Sequence, residues 1–165
     1  MEHVIELNSK TFTFSISDDK ISVHHNKKEV AYVELTTIDG IVYIENSYTS
    51  PAFQKKHLNT CLRLLAAMDA SKKGCILSSV ATSAISLYTM VKLFPCTIED
   101  MDEHTLDLPK TMTQCKELID TFTLIRIETG TLDYDSLHQQ LLETVQKIKG
   151  GTRKNRRTKV NSGRK

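Results

Sequence analysis

A short basic segment just before a leucine-rich run is the part of this sequence best suited to chemistry. Lys55, Lys56 and His57 follow a strand-like stretch that ends at Pro51. Backbone N–H groups at a helix N-terminus, together with cationic side chains, can attract a phosphate group. The alternative interpretation is that these three side chains are only the solvated start of a helix.

Other common signatures of catalytic or metal sites are missing from the sequence. His24 and His25 are neighbours in a strand-like run, so they point to opposite faces and cannot both bind one metal ion in a regular strand. The sequence has no C-x-x-C pair, no Walker loop and no Gly-x-Ser-x-Gly motif. We therefore predict no metal site. We expect the cysteines to be reduced thiols of the core: Cys61, Cys75, Cys96 and Cys115.

The first 50 residues predict an antiparallel meander. Residues 11–16 alternate between polar and apolar side chains, which is the period of a half-buried strand. Three further β-rich runs follow, at residues 21–25, 30–37 and 41–44. Turn signals separate these runs at Asp18-Asp19, at residues 26–28 and at Asp39-Gly40.

From residue 55 the apolar spacing becomes helical, with Leu58, Leu62, Leu65 and Met68 on one face. The helix should stop at Lys72-Lys73-Gly74, because basic residues and glycine favour a helix C-terminus. A buried-strand run at 75–80 and a second helix capped by Ser83 and ended by Pro95 follow. Residues 41–94 therefore predict a strand–helix–strand–helix unit with parallel strands and a right-handed crossover.

The pattern after Pro95 is less regular. Residues 97–110 are polar and could include an edge strand, 113–120 could form a short helix, and 122–128 are strand-like. Asp135 could cap a last helix that turns Leu137, Leu141, Val145 and Ile148 inward.

Two segments, in this order, resemble motifs of the GNAT acetyltransferase superfamily. Residues 50–65 are similar to its acetyl-coenzyme A loop, in which an apolar strand, Asp/Ser-Pro and an aromatic residue precede Gln/Arg-x-x-Gly-x-Gly/Ala and a Leu-rich helix. The matching residues are Pro51, Phe53, Gln54, Leu58, Leu62 and Leu65. Residues 83–94 are similar to a second motif through Ala84, Leu87, Tyr88 and Phe94, whereas Ser83 and Leu93 stand where the family has Asn and Gly.

The resemblance covers residues 11–94 and implies an α/β (α+β) fold. We expect a mixed sheet with an N-terminal antiparallel meander and the central strand–helix–strand–helix unit, in one domain over 1–149. Residues 95–149 would be a C-terminal extension of that domain. In the family the loop binds the pyrophosphate of acetyl-coenzyme A. The cofactor residues carried over are Gln54, Lys55, Lys56, His57, Leu58, Asn59 and Thr60.

The resemblance also implies two catalytic candidates. Tyr88 would protonate the leaving thiolate, since a phenol with a pKa of ~10 keeps its proton at neutral pH. Glu45, on the strand before the loop, would be the base for the attacking amine. The alternatives are a Tyr88 that fills a helix–sheet groove and a Glu45 that is an exposed strand residue.

The loop departs from the family at both small positions, which are His57 and Asn59 here. Side chains at these positions keep phosphate from approaching the backbone closely. Two hypotheses follow: a degenerate GNAT-fold module that binds or assembles, and an active N-acetyltransferase that moves acetyl from acetyl-coenzyme A to an amine. A third reading is an unrelated α/β domain. An open cleft between the strands that end near Tyr48 and Val80 would favour the enzyme. A cleft filled by His57, Asn59 or the last helix would favour the module.

Charge is distributed unevenly along the chain. The net charge is +2, but residues 151–165 hold seven basic residues and no acids, which leaves −5 for the first 150 residues. We predict a disordered tail over 150–165 that could contact nucleic acid or an acidic protein through Arg153, Lys154, Arg156, Arg157 and Lys159. The sequence shows neither a secretory signal nor a membrane span. We expect an intracellular, cytoplasmic protein, with a nuclear, virion-associated or viral setting as options.

Overall fold

The computed structural model of this protein describes residues 3–7, 12–54 and 57–147. Nine strands lie in these residues: β1 (His3–Leu7), β2 (Phe12–Ile16), β3 (Lys20–His25), β4 (Lys28–Ile38), β5 (Ile41–Thr49), β6 (Ile76–Ala81), β7 (Cys96–Glu99), β8 (Thr105–Leu106) and β9 (Ile125–Thr129). The helices described are α1 (Leu58–Lys72), α2 (Ala84–Leu93), α3 (Met112–Thr121) and α4 (residues 134–147). A short 3₁₀ turn spans Pro51–Phe53.

The strands form one mixed sheet in the order β1-β2-β3-β4-β5-β6-β9-β7-β8. The first five strands are the antiparallel meander that the sequence predicted. Its hairpin turns place Asn26, Lys27, Asp39 and Gly40 at positive φ. Two successive residues of this kind give a turn whose twist matches that of the flanking strands.

The crossover from β5 through α1 to β6 joins two parallel strands, as the change from period two to helical spacing predicted. The pairing runs from Ile41 opposite Ile76 to Ile44 opposite Ser79 and then stops. Beyond Ile44, β5 pairs only with β4. The register of that pairing shifts between Glu34 and Leu35, so Glu45 has no residue directly opposite it on β4. The two parallel strands therefore separate in the second half of β5.

Helix α1 is buried on more than the one face that its leucine spacing predicted. Every residue from Cys61 to Met68 is buried. The reason is its position, because α1 packs against β3, β4, β5 and β6 and also contacts α2. Its C-terminal end contacts the segment before α4, where the Ser71 hydroxyl donates to the Leu132 carbonyl at 3.1 Å. Gly74, at φ +68, ends the helix as predicted.

The C-terminal part of the fold confirms one prediction from the sequence and contradicts another. The edge strand expected within residues 97–110 is β8, whereas the sequence did not predict that β9 inserts between β6 and β7, antiparallel to both. The prediction that Asp135 caps the last helix was wrong, since α4 begins at residue 134 and the Asp133 carbonyl accepts from the Leu137 N–H. Leu137, Leu141 and Val145 are buried as expected, whereas Ile148 lies outside the described residues.

The cysteines are free thiols with different exposure. Cys61 and Cys115 are buried, and Cys75 and Cys96 are half-buried. Burial raises the pKa of the Cys61 thiol from 9.0 to about 12, because the thiolate would lose its solvation. Among the described residues, no helix has the length and hydrophobicity needed to cross a bilayer.

We expect Cys61 to resist alkylation in the folded protein. A rise in pKa from 9.0 to about 12 lowers the reactive thiolate fraction roughly a thousandfold, in addition to the steric protection. The unfolded thiol ionises at lower pH than the folded one, so the free energy of unfolding should fall as the pH rises above 9. Iodoacetamide labelling followed by mass spectrometry should modify Cys75 first and Cys61 only in denaturant. Equal labelling of the two at pH 8 would contradict this burial.

Candidate functional site

A cavity of about 580 Å³ lies beside the second half of β5, beyond the last pair that β5 forms with β6. Four elements line it: the end of β5, the 3₁₀ turn, the start of α1 and the start of α2. The lining residues are Ser47, Tyr48, Thr49, Phe53, Gln54, His57, Leu58, Asn59, Thr60, Ser83, Ile85 and Thr89. None of these described lining residues comes from α4, so that helix does not fill the cavity.

The 3₁₀ turn joins β5 to the cavity wall. Pro51 is the first residue of this turn, where the fixed φ of proline suits a helical conformation. The Phe53 N–H closes the turn by donating to the Ser50 carbonyl at 2.8 Å. Gln54 donates its side-chain amide to the Thr49 carbonyl at 3.2 Å. The predicted cofactor residue Gln54 therefore lines the cavity and also ties the loop back to the end of β5.

His57 occupies a left-handed backbone conformation, with φ 63° and ψ 12°. It is the N-cap of α1, and its carbonyl accepts from the Cys61 N–H at 3.1 Å. A residue other than glycine loses roughly 1–2 kcal/mol of conformational free energy in this backbone conformation. The loop thus keeps the backbone geometry that suits glycine although the glycine itself is absent.

Two helices begin at the cavity and direct their positive ends towards it. The first N–H groups of α1, at Leu58, Asn59 and Thr60, have no acceptor within the helix, and no acidic residue lies in its first turn. At α2 the Ser83 hydroxyl caps the helix by accepting from the Ser86 N–H at 3.2 Å, as the sequence predicted. Because no carboxylate is among the lining residues, the described part of the wall suits an anionic ligand.

The two catalytic candidates lie outside the cavity lining. Tyr88 is half-buried against the core, and the Lys92 ammonium lies 5.5 Å from its ring centroid. Its helical neighbours Ile85 and Thr89 do line the cavity. Glu45 is an exposed residue at the irregularity between β4 and β5. The structure therefore places Tyr88 next to the cavity wall and does not bring Glu45 to it.

Arg63, which the sequence patterns did not predict as a site residue, is buried behind the cavity wall with 2% of its surface exposed. Its Nε donates to Asn59 Oδ1 at 3.2 Å, and its Nη2 donates to Ser86 Oγ at 3.2 Å. Its Nη1 has no hydrogen-bond partner among the described residues. One signal in the sequence pointed to its burial. Arg63 follows Leu62 within the run of α1 residues that are all buried, Cys61 to Met68.

An aromatic group supports the wall from the meander side. The rings of Phe12 and Phe53 lie 5.2 and 5.3 Å from the His25 ring, and Phe53 lines the cavity. His25 therefore has a packing contact here. The described residues hold no cluster of three or more His, Cys, Asp or Glu side chains that could bind a metal ion.

The predicted site residues fall into two groups, of which one lines the cavity. Lys55 and Lys56 of the loop lie outside the described residues, and so does the whole basic segment from Arg153 to Lys159. The remaining predicted cofactor residues all line the cavity: Gln54, His57, Leu58, Asn59 and Thr60.

The fold is similar to those of solved N-acetyltransferases. The ribosomal-protein-S18-alanine N-acetyltransferase from Escherichia coli matches with a TM-score of 0.50 and 14% identity, over 72% of this chain and 73% of that one. The PaiA N-acetyltransferase from Thermoplasma acidophilum, in complex with coenzyme A, gives 0.50 and 15%, over 67% of this chain and 59% of that one. The N-acetylglutamate synthase from Neisseria gonorrhoeae, complexed with coenzyme A and N-acetyl-glutamate, gives 0.50 and 13%, over 70% of this chain and 26% of that one.

No protein-family model and no curated protein sequence matches this chain. The structural matches show that the chain has a GNAT-like fold. They confirm the fold class that the two sequence segments predicted.

Proposed function

We propose that this protein binds coenzyme A or an acyl-coenzyme A through the cavity at the start of α1. The observation that carries the proposal is the left-handed backbone at His57, which preserves the loop geometry where glycine would be expected. Outside hairpin turns, non-glycine residues held in such strained conformations cluster at ligand-binding sites. The protein would then be a GNAT-fold binding module.

The cavity agrees with this proposal in size and charge. Its volume of about 580 Å³ falls within the roughly 300–1,000 Å³ of ligand pockets. Two helix N-termini and a wall without described carboxylates favour the negative charge of a pyrophosphate. The solved structures in complex with coenzyme A that this fold resembles support the same ligand class.

Calorimetric titration with acetyl-coenzyme A tests this proposal, with His57→Gly and His57→Val as a matched pair. We expect micromolar binding by the unmodified protein and equal or tighter binding by His57→Gly. His57→Val should bind about tenfold more weakly, because a β-branched residue at positive φ costs roughly 1–2 kcal/mol. Binding that appears only in the His57→Gly/Asn59→Gly variant would mean that the fold survives without a working site.

A second candidate is transfer of an acetyl group to an amine, and the open cleft favours it. Tyr48 and Val80, on the two separating strands, are 47% and 51% exposed. The amine nitrogen would attack the thioester carbonyl, the C–N bond would form, and the C–S bond would break to release coenzyme A. Tyr88 would then protonate the thiolate, and a water molecule, with Glu45 acting only through it because Glu45 does not line the cavity, would accept the proton of the amine. Thiol release that depends on an added amine supports the enzyme, and its absence despite binding supports the module.

The basic segment over 151–165 has a separate proposed role, the binding of nucleic acid or an acidic protein partner. Its support is the seven basic residues without an acid. Such binding should be insensitive to sequence and should weaken steeply with salt. The full chain should bind a nucleic acid duplex at low salt, and a chain ending at residue 149 should not. Equal binding by the two chains would mean that the folded domain, and not the basic segment, contacts the nucleic acid.

A further inference from the structure

Arg63 is a buried cation without an ion-pair partner among the described carboxylates. Only 2% of its surface is exposed, and its Nη1 has no hydrogen-bond acceptor in the described part of the chain. Desolvation lowers the pKa of the guanidinium from 12.5 to about 10. A buried charge of this kind destabilises a protein unless another interaction compensates for it. The folded core therefore gives no reason for a cation here.

The hydrogen bonds of Arg63 fix the orientation of Asn59. The guanidinium has only donors, so the atom of Asn59 that faces Nε is the amide oxygen. The two N–H donors of Asn59 Nδ2 are then left over, and they make no hydrogen bond to the described residues. Because Asn59 lines the cavity, this amide provides donors for a ligand there.

Arg63 also connects the two helix N-termini. Its Nη2 donates to the Ser86 hydroxyl, the Ser86 N–H donates to the Ser83 hydroxyl, and Ser83 lines the cavity. The positive ends of α1 and α2 and the guanidinium thus lie close together. Their mutual repulsion disfavours the empty site and favours an anion in it.

We propose that Asn59, oriented by Arg63, recognises a phosphate group of the ligand through its side-chain amide. This contact would replace the backbone N–H contact that a small residue at position 59 would allow. Arg63 is a positioning residue that does not touch the ligand itself, since it is buried behind Asn59. The inference rests on the proposed binding of coenzyme A.

A double-mutant cycle tests the inference, with the affinity for coenzyme A and the unfolding midpoint of the free protein as readouts. Arg63→Met should weaken binding about tenfold to a hundredfold, as expected for a hydrogen bond to a charged group. The midpoint of the free variant should stay equal or rise, because methionine fills the buried site without a charge. In an Asn59→Ala background, Arg63→Met should weaken binding at least threefold less than it does in the parent, because only the charge of the guanidinium is then lost.

The matched control is Arg126→Met, which makes the same substitution at an exposed arginine of β9 and should leave the affinity unchanged. Three results would overturn the inference and leave the proposed function standing. They are unchanged binding by Arg63→Met, an equal loss in both backgrounds, and a loss of binding together with a lower unfolding midpoint. No binding of coenzyme A by the unmodified protein would overturn the proposed function, and this inference with it.

Discussion

Replacing Leu62 by alanine is expected to lower the free energy of unfolding by about 2–5 kcal/mol, the largest effect on stability that we predict. Leu62 has no exposed surface and lies in the second turn of α1, which packs against the sheet and also contacts α2. The smaller side chain leaves a cavity that close-packed neighbours can fill only in part. Urea unfolding followed by circular dichroism measures the loss.

Leu142→Ala is the matched control, since Leu142 lies on α4 with 48% of its surface exposed. That variant should change the free energy of unfolding by no more than about 0.5 kcal/mol. Similar small losses in both variants would mean that α1 is not the centre of the core. Leu62→Ala is also expected to lose the binding of coenzyme A, because α1 begins at the cavity.

Local patterns in the sequence were enough to predict the first two thirds of the fold. Strand alternation, turn residues such as Asp39-Gly40 and the shift to helical spacing at Leu58 are all short-range signals. The parallel pairing of β5 and β6 follows from the helix between them. The Ser83 cap was likewise readable, because its hydroxyl and the N–H that it accepts lie three residues apart.

The position of β9 could not be predicted in this way. It pairs with β6 and β7, and the choice of those neighbours depends on contacts between residues far apart in the sequence. The start of α4 also depends on contacts with residues that are distant in the sequence. Asp133 and Asp135 are both suitable cap residues, and the packing of Tyr134 beside the end of α1 accompanies a start at residue 134.

The candidate site could likewise be predicted from the sequence only in part. The loop residues from Gln54 to Thr60 were predicted from a linear motif, and those described line the cavity. The sequence also showed that His57 and Asn59 replace small residues, but not that His57 keeps a left-handed backbone. Arg63 was missed because a charged residue in an apolar helix is normally assumed to reach solvent. It contacts Ser86 of α2, and no local pattern in the sequence reveals that contact between the two helices.

Replacing Thr60 by glutamate is expected to reduce the affinity for coenzyme A by a factor of about 100 or more. Thr60 lines the cavity in the first turn of α1, so the new carboxylate would meet the phosphates of the ligand. The same carboxylate interacts favourably with the positive end of the helix. The free protein should therefore be as stable as the parent, or more stable by about 0.3–1 kcal/mol. Calorimetric titration and thermal unfolding measure the two effects.

The opposite directions of the two effects make this variant informative. An ordinary folding defect would lower stability and binding together, whereas charge repulsion at the cavity lowers binding alone. Thr60→Gln is the control, because it has nearly the same size without the charge, and it should bind within about threefold to tenfold of the parent. High salt should partly restore binding to the glutamate variant, since part of the repulsion is screened. An unchanged affinity in Thr60→Glu would place the phosphates of any ligand away from the start of α1.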